Sequence, residues 1–404
     1  MQDLRTIAIL FAILFLASAD NQMLIPLLPR MELGVDVEWL GLLISGYALG
    51  ASFFNLFLGP QTDRYGRVLF FRLGLLAFVA TALGSYLAPT FGSLLSLRML
   101  TGVTAGLLST CTASYVGDRF PYEVRGRVMG IVLSSYFAAL ILGIPAGAAI
   151  AQAWGWRSVF LASACLSLLL AGAAFFMPSD RPADRASRSV SSLRTYALLL
   201  RRADTLAAVW VSFGISGATL AFLTYISPFL HQRFELDPLG ISQVFLIAGV
   251  AALLGSPTAG WLCDRFTKRS IFLTSNTLLA LPLLAVPMLG WGIWFFAALF
   301  LIGLCIAFRQ TALQTVQASL TDKHQRGSYL ALRNGFSQLG IAVSVFVAGR
   351  LYSWNGYQAV AWLAVALTLL SSALFFIAIR EENLDRPDSG VSRQAAKSQR
   401  RTQS

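Results

Sequence analysis

The chain has 404 residues, of which 56% are hydrophobic and only 12% are charged. A soluble globular domain carries about 25% charged residues. The mean hydropathy here is +0.67, so the composition excludes a soluble enzyme and indicates an integral membrane protein. The formal net charge of +12 favours contact with anionic lipid headgroups, and we expect no nucleic-acid partner.

Apolar runs long enough to cross a bilayer recur along the whole chain. A hydrocarbon core about 30 Å thick requires about 20 residues of helix. We predict an all-α membrane protein with twelve transmembrane spans, numbered 1 to 12, at 5–28, 39–60, 69–88, 91–116, 127–152, 157–177, 205–229, 240–262, 270–289, 291–318, 328–351 and 357–379.

A polar segment rich in Pro, Ser and Arg separates the first six spans from the last six. We therefore predict an N-terminal six-helix bundle at 1–177, a cytoplasmic linker at 178–204 and a C-terminal six-helix bundle at 205–380. The remaining residues, 381–404, are polar and basic, which predicts a disordered cytoplasmic tail.

The basic residues predict the orientation, because Lys and Arg near the ends of spans stay in the cytoplasm. With the N-terminus inside, most of the 31 Lys and Arg residues fall on the cytoplasmic side. Arg30, Arg157, Arg233 and Arg350 fall outside. We expect a multi-pass protein of the bacterial inner membrane with both termini in the cytoplasm.

The sequence repeats itself with a shift of 201 residues, which places Gly102 on Gly303 and Gly155 on Gly356. In the loop after span 2, the same shift places Gly59, Asp63 and Arg64 on Gly260, Asp264 and Arg265. One offset that holds in loops and helices alike predicts two parallel copies of a six-helix unit. Such repeats are found in transporters that rock around a central site.

The stretch GPQTDRYGRV at 59–68 is the most specific motif. It resembles the G-x-x-x-D-R-x-G-R-[KR] signature between spans 2 and 3 of the major facilitator superfamily, with Val68 in the final basic position. RMLTG at 98–102 and GIPAG at 143–147 resemble that family's signatures in spans 4 and 5, with a Thr for Gln and altered spacing respectively. The resemblance covers all twelve spans and is greatest to bacterial drug:proton antiporters and sugar-efflux permeases.

The resemblance implies that the loop after span 2 latches the two halves together when the cytoplasmic side is shut. A carboxylate at Asp63 would meet the positive end of a neighbouring helix dipole, and Arg64 and Arg67 would hold that carboxylate or a lipid phosphate. The predicted latch consists of Gly59, Asp63, Arg64, Gly66 and Arg67, with Asp264 and Arg265 as the second-half counterpart. The alternative is that these residues only anchor the protein at the cytoplasmic surface.

Two charged residues lie inside predicted spans of the first half. At a rise of 1.5 Å per residue, Asp20 in span 1 and Arg98 in span 4 both lie about 10–12 Å from the outer end of their span. We predict that they pair directly or through water or substrate, and that Asp20 carries protons, because burial favours the neutral acid and Arg98 favours the carboxylate. The alternative is a static ion pair. The 201-residue shift places Asp20 on Ala221 and Arg98 on Leu299, so coupling would belong to the first half.

Polar side chains inside membrane spans must face protein or a water-filled cavity. Gln310 and Gln314 follow Arg309 along span 10, and Asn334 and Gln338 repeat the pattern in span 11. The predicted substrate contacts are Asn21, Gln22, Tyr136, Arg309, Gln310, Gln314, Asn334 and Gln338. Hydrogen bonds between helices are the alternative role for the amides, and lipid contact is the alternative for the aromatic residue.

The sequence has four Cys and two His, without the spacing of a metal site. It also has no Walker A signature, Gly-x-Ser-x-Gly elbow or H-E-x-x-H motif. We therefore expect neither an enzyme nor an ATP-driven pump, and neither a cofactor nor a metal.

These observations predict a monomeric secondary transporter that exports small amphipathic or apolar compounds in exchange for protons. One alternative is a uniporter or uptake carrier for a polar or anionic metabolite, which the buried arginines favour. Another is a lipid-handling or sensor protein built on the transporter scaffold. An intact acidic loop motif together with a buried acid favours an active transport cycle over a fixed receptor.

Overall fold

The computed structural model describes residues 2–58, 67–178, 192–320 and 326–379, and these residues form helices and short turns without a β-strand. In the first half the helices are Gln2–Gln22, Ile25–Arg30, Val37–Leu40, Leu42–Phe53, Phe54–Leu58, Arg67–Leu87, Phe91–Arg119, Tyr122–Leu133, Ser135–Ala138, Ala139–Gly143, Ile144–Trp154, Ser158–Ala173 and Ala174–Phe176. In the second half they are Ser192–Arg201, Ala203–Phe234, Pro238–Arg265, Lys268–Ala285, Ile293–Ser319 and Arg326–Ala378.

Ten of these helical segments are long and apolar enough to cross a membrane. The longest, Gly327–Ala378, leaves helical geometry at Asn355 and Gly356 and therefore forms spans 11 and 12. The helix Lys268–Ala285 is span 9. The predicted all-α membrane fold with twelve spans is thus confirmed.

Span 1 changes its helix type near its end. The α-helix ends at Gln22, and a 3-10 helix follows at Ile25–Arg30. Pro26 and Pro29 explain the change, because proline has no N–H to donate and its ring clashes with the preceding turn of an α-helix. Asp20 consequently lies in the last turn of the α-helix.

Span 5 contains a π-helical turn at Ala139–Gly143, directly before Ile144–Trp154. Pro145 lies at the start of that following helix and cannot donate to the turn before it. A π-helical turn leaves the α-helical register, and such turns often accompany functional sites. The turn sets the GIPAG glycines against span 1.

The two halves repeat in backbone detail as well as in sequence. A Cβ atom on Gly102 would lie 1.9 Å from the carbonyl oxygen of Tyr47, and one on Gly303 would lie 2.3 Å from that of Ala248. Both pairs differ by the same 201 positions, so span 4 crosses span 2 as span 10 crosses span 8. Gly155 and Gly356 also share a left-handed φ, of 85° and 66°, at the turn before spans 6 and 12.

The halves join most closely at the end of the bundle that contains Glu38, here called the Glu38 end. An apolar cluster there contains residues of both halves, among them Leu28, Leu40, Phe222, Phe229 and Tyr352. The opposite end, which contains the last turn of span 4, is called the Asp118 end. Each half also has its own apolar cluster nearer the Asp118 end.

The segment predicted as a polar linker contains a helix, Ser192–Arg201. Tyr196 and Leu199 on this linker helix are buried in the apolar cluster of the second half, and the hydroxyl of Thr205 donates to the carbonyl oxygen of Leu199. The helix therefore packs against span 7. Burial raises the pKa of the Tyr196 hydroxyl to about 12.

Candidate functional site

Glycines bring spans 2 and 4 into backbone contact beside the buried ion pair. A Cβ atom on Gly50 would lie 1.9 Å from the carbonyl oxygen of Met99, and Gly102 makes the matching contact with Tyr47. A Cβ on Gly147 of span 5 would lie 2.6 Å from Met23 of span 1. Gly102 of the RMLTG motif and Gly147 of the GIPAG motif therefore allow the helices around Asp20 and Arg98 to pack closely.

Asp20 and Arg98 form an ion pair in the middle of the first half. Nη1 of Arg98 lies 2.5 Å from Oδ2 of Asp20, and the relative exposures of the two residues are 0% and 1%. Nη2 of Arg98 donates to Oδ1 of Asn21 at 3.1 Å. The pair links span 4 to the last α-helical turn of span 1.

Aromatic rings complete the surroundings of Arg98, and the sequence analysis did not single them out. The guanidinium lies 4.7 Å from the ring centre of Tyr47 and 5.9 Å from that of Phe160. The hydroxyl of Tyr47 donates to the carbonyl oxygen of Ala17 at 2.6 Å. Ring faces stabilise a cation, so Arg98 keeps favourable contacts even when the charge of Asp20 changes.

The ion pair engages one of the two carboxylate oxygens of Asp20. Nη1 of Arg98 contacts Oδ2, whereas Oδ1 has no hydrogen-bond partner among the described residues. Acids buried inside membrane spans are rare and are usually functional.

The other predicted contacts of the first half differ in their surroundings. Asn21 accepts from Arg98 and is half-buried, whereas Gln22 is buried and its Oε1 has no partner among the described residues. Tyr136 is 40% exposed and packs edge to face on Phe137. Asn21 therefore belongs to the ion-pair cluster, and Tyr136 lies on the surface of span 5.

Arg309 is buried inside the second half and contacts three other spans. Its guanidinium donates to Oδ1 of Asn276 in span 9 at 3.3 Å and to the Oγ1 of Thr368 in span 12 at 3.5 Å. It also donates to the carbonyl oxygen of Ile215 and to the hydroxyl of Thr219, both in span 7. Thr219, Thr368 and Asn276 are not part of a pattern of polar residues at helical spacing. The sequence therefore did not predict their contacts with Arg309.

The predicted amide contacts of the second half lie at different depths. Gln310, Asn334 and Gln338 are half-buried, and Gln314 is exposed. Gln317, three residues after Gln314 in span 10, is buried. It donates to the carbonyl oxygen of Ala208 in span 7 and accepts from Arg333 in span 11. Gln317 thus joins span 10 to spans 7 and 11.

The predicted latch is described only in part. Gly59, Asp63, Arg64 and Gly66 lie outside the described residues. Arg67 is buried, and its Nη1 lies 2.6 Å from Oδ2 of Asp118, the last acid of span 4.

Asp118, on the neighbouring helix, is thus one carboxylate partner of Arg67. Asp118 was not predicted as a partner of Arg67. Its position beside Arg119 at the end of span 4 could have indicated an acid that takes part in an ion pair. In the second half, Asp264 and Arg265 are exposed, and the guanidinium of Arg265 lies 4.1 Å from the ring centre of Trp261.

Polar contacts join the two halves at the Glu38 end. Nη1 of Arg350 lies 3.0 Å from Oε1 of Glu38, and its guanidinium lies 4.2 Å from the ring centre of Trp39. The hydroxyl of Tyr225 donates to the carbonyl oxygen of Glu38 at 3.0 Å. Nearer the Asp118 end, the hydroxyl of Ser52 donates to the carbonyl oxygen of Gly335 at 2.8 Å.

Comparison with known proteins agrees with this architecture. The chain is 25% identical to the MFS-type transporter YceJ of Bacillus subtilis (strain 168), over 92% of this chain and 96% of that protein. It is 27% identical to the inner membrane transport protein YdhP of Escherichia coli (strain K12), over 88% and 91%. A crystal structure of a D-xylose-proton symporter shares the fold, with a TM-score of 0.76 and 15% identity over 96% of this chain and 100% of that one.

The sequence model of the Major Facilitator Superfamily matches residues 10–255 and again 209–403. The two matches agree with the duplication of the six-helix unit, and members of this family are transporters rather than enzymes. The chain belongs to the Major Facilitator Superfamily.

Proposed function

We propose that this protein is a secondary active transporter that exports small amphipathic or apolar compounds in exchange for protons. The Asp20–Arg98 pair carries the proposal, because an acid that is 1% exposed inside a membrane span is costly and is usually functional. One oxygen of Asp20 has no partner among the described residues. Protonation there would release Arg98 from the ion pair while its ring contacts remain.

The driving force for such an exchange is sufficient. One proton that moves down a potential of about 100 mV and a gradient of one pH unit releases about 3.7 kcal/mol. This energy supports a roughly 500-fold concentration gradient of an uncharged cargo. A single coupling acid is therefore enough for export against a substantial gradient.

The rest of the proposed cycle is alternating access by two rocking halves. The contacts of Glu38 with Arg350 and Tyr225 support a form closed at the Glu38 end, which the positive-inside rule assigns to the outer face. In the proposed cycle, the loop after span 2 and the Arg67–Asp118 pair close the Asp118 end in the alternate form. Both termini would then be cytoplasmic, in the inner membrane of a bacterium.

A deletion strain provides the test of the proposed activity. Wild type, Asp20→Asn and Asp36→Asn are expressed at matched levels, and export is measured for a panel of amphipathic drugs and secreted metabolites. We expect Asp20→Asn to lose energy-dependent export but to keep passive exchange of labelled cargo, because asparagine retains the shape of a protonated acid. Asp36→Asn, an exposed acid near the same end, should export as wild type does. Full energy-dependent export by Asp20→Asn would refute the proposed coupling.

The second candidate is a carrier for a polar or anionic metabolite without proton coupling. Arg309 favours it, because a buried guanidinium contacted by neutral groups would attract a negatively charged cargo. Uptake or downhill flux of an organic acid, unchanged by Asp20→Asn, would support this candidate. Binding of a compound without any flux would instead support a sensor.

A further inference from the structure

Tyr47 of span 2 contacts both helices that carry the buried ion pair. Its relative exposure is 4%. The guanidinium of Arg98 in span 4 lies over the ring of Tyr47, 4.7 Å from the ring centre. The hydroxyl of Tyr47 donates to the carbonyl oxygen of Ala17 in span 1 at 2.6 Å. One side chain therefore connects spans 1, 2 and 4 beside Asp20.

The ring contact of Arg98 differs from its polar contacts, because it does not depend on the charge of Asp20. Nη1 of Arg98 contacts Oδ2 of Asp20 and Nη2 donates to Oδ1 of Asn21, whereas Nε has no hydrogen-bond partner among the described residues. Protonation of Asp20 would remove the opposite charge and leave the amide oxygen and the rings. The face of an aromatic ring attracts a cation, and it does so more strongly where water is excluded. The ring contact thus matters most when the acid is neutral.

The two rings beside Arg98 are not equivalent. The ring centre of Phe160 in span 6 lies 5.9 Å from the guanidinium, close to the limit of about 6 Å for an effective contact. The ring of Tyr47 is closer, and its hydroxyl is bonded to span 1. The backbone of Tyr47 lies against Gly102, one turn after Arg98, where a Cβ atom would be 1.9 Å from the carbonyl oxygen of Tyr47. The ring of Tyr47 therefore has a fixed position relative to spans 1 and 4.

We propose that Tyr47 is a positioning residue that keeps Arg98 beside Asp20 while the acid is neutral. This inference rests on the proposed proton exchange. An arginine held over the ring would be in place to form the ion pair again as soon as the proton leaves, whereas an arginine without the ring would turn toward other acceptors. The ring rather than the hydroxyl is the acting group, because the hydroxyl donates to a backbone carbonyl oxygen.

Two substitutions separate the ring from the hydroxyl. Tyr47→Phe keeps the ring and should retain energy-dependent export. Tyr47→Leu removes the ring, and energy-dependent export should fall about tenfold, as expected from the loss of a desolvated contact between a cation and a ring, while passive exchange of labelled cargo continues. Wild-type export by Tyr47→Leu would overturn the proposal. An equal fall of export and passive exchange would also overturn it, because such a fall indicates only a damaged fold.

Tyr115→Leu is the matched control. Tyr115 is buried in the same apolar cluster as Tyr47, and its hydroxyl also donates to a backbone carbonyl oxygen, that of Pro178 at 3.2 Å. It lies about 25 Å along the same helix from Arg98, at 1.5 Å per residue, so it cannot contact that guanidinium. Any loss in Tyr115→Leu should affect export and passive exchange in proportion. A selective loss of energy-dependent export in this control would contradict a special role of Tyr47.

A measurement without transport distinguishes failure of this inference from failure of the proposed function. Tyr47→Leu is added to Asp20→Asn and to the double variant Asp20→Asn with Arg98→Gln, and thermal unfolding midpoints are compared in detergent. The midpoint should fall further where Arg98 is present. Equal falls would overturn the positioning role without affecting the evidence for proton exchange. Wild-type transport without proton movement would refute the proposed function, and this role with it, even where the midpoints show the ring contact.

If Tyr47→Leu does not fold, fluorinated phenylalanines at position 47 provide the measurement. Fluorine draws negative charge from the face of the ring and changes its shape little, so it weakens the attraction for a cation. A stepwise loss of energy-dependent export with added fluorine supports the positioning role. Equal export at every step contradicts it.

Discussion

Each partner of the Asp20–Arg98 pair depends on the other. The two side chains are almost fully buried, and removal of one partner from a buried pair leaves an uncompensated charge that costs about 3–5 kcal/mol. Removal of both partners costs far less, because no charge remains in the low-dielectric interior. This asymmetry gives a direct test of the pair.

We predict that Arg98→Gln lowers the unfolding midpoint strongly and that the double variant Asp20→Asn with Arg98→Gln recovers most of the loss. The free energy difference between the single and double variants should be about 3 kcal/mol. Thermal unfolding of the purified variants in detergent measures this difference. Additive losses in the double variant would show that the two side chains stabilise the fold independently.

For single residues, the sequence predicted the depth of a side chain along its span better than the residues that the side chain contacts. The depths of Asp20 and Arg98 along their spans indicated a shared level, and the structure brings them into contact. The acceptors of Arg309 lie on three different spans and include a backbone carbonyl oxygen. Nothing in the sequence therefore marked Asn276 or Thr368. Their roles depend on which faces of the helices meet.

Helix crossings are set by glycines that repeat between the halves. Gly102 and Gly303 each face a backbone carbonyl of the crossing helix, of Tyr47 and Ala248 respectively, at a distance that leaves no room for a Cβ atom. Backbone cannot move aside as a flexible side chain can. A side chain at Gly102 or Gly303 would therefore force the two crossing backbones apart.

We predict that Gly102→Ala and Gly303→Ala each destabilise the protein by about 1–3 kcal/mol, the usual cost of overpacking. Gly172→Ala in span 6 is the matched control, because a Cβ there meets nothing within 4 Å. Thermal unfolding midpoints in detergent compare the three variants. Equal midpoints for all three would mean that the crossings have more room than the structure gives them.

At the scale of elements the sequence was most informative. The constant offset predicted the duplicated unit, and the family match to 10–255 and 209–403 confirms it. The change to a 3-10 helix after Gln22 and the π-helical turn before Ile144 were not predicted, since hydropathy does not distinguish helix types. Pro26 and Pro145 were the available signals.

The two halves meet through a small set of polar contacts at the Glu38 end. Glu38 contributes both its carboxylate, to Arg350, and its carbonyl oxygen, to Tyr225. Removing the negative charge should weaken closure there without altering either half. A pair this exposed contributes modestly, about 1 kcal/mol or less, which still changes the populations of two states several-fold.

We predict that Glu38→Gln increases the population of molecules open at the Glu38 end. Spin labels at positions 32 and 353, exposed residues of the two halves, report the separation by electron paramagnetic resonance once the four native cysteines are replaced. The variant should add a longer-distance population. Asp36→Asn is the control and should leave the distribution unchanged, because Asp36 is exposed and caps its helix without a side-chain bond. An unaltered distribution in Glu38→Gln would exclude this residue from the closure.

The central proposal concerns the whole molecule, because it links a buried acid in one half to the movement of both. The decisive measurement is the internal pH of proteoliposomes that contain the purified protein, recorded as a transported compound is added. We predict that protons move in the direction opposite to the cargo in the wild type and that this proton movement is lost in Asp20→Asn. Transport of the cargo by the wild type without any change of internal pH would contradict proton exchange.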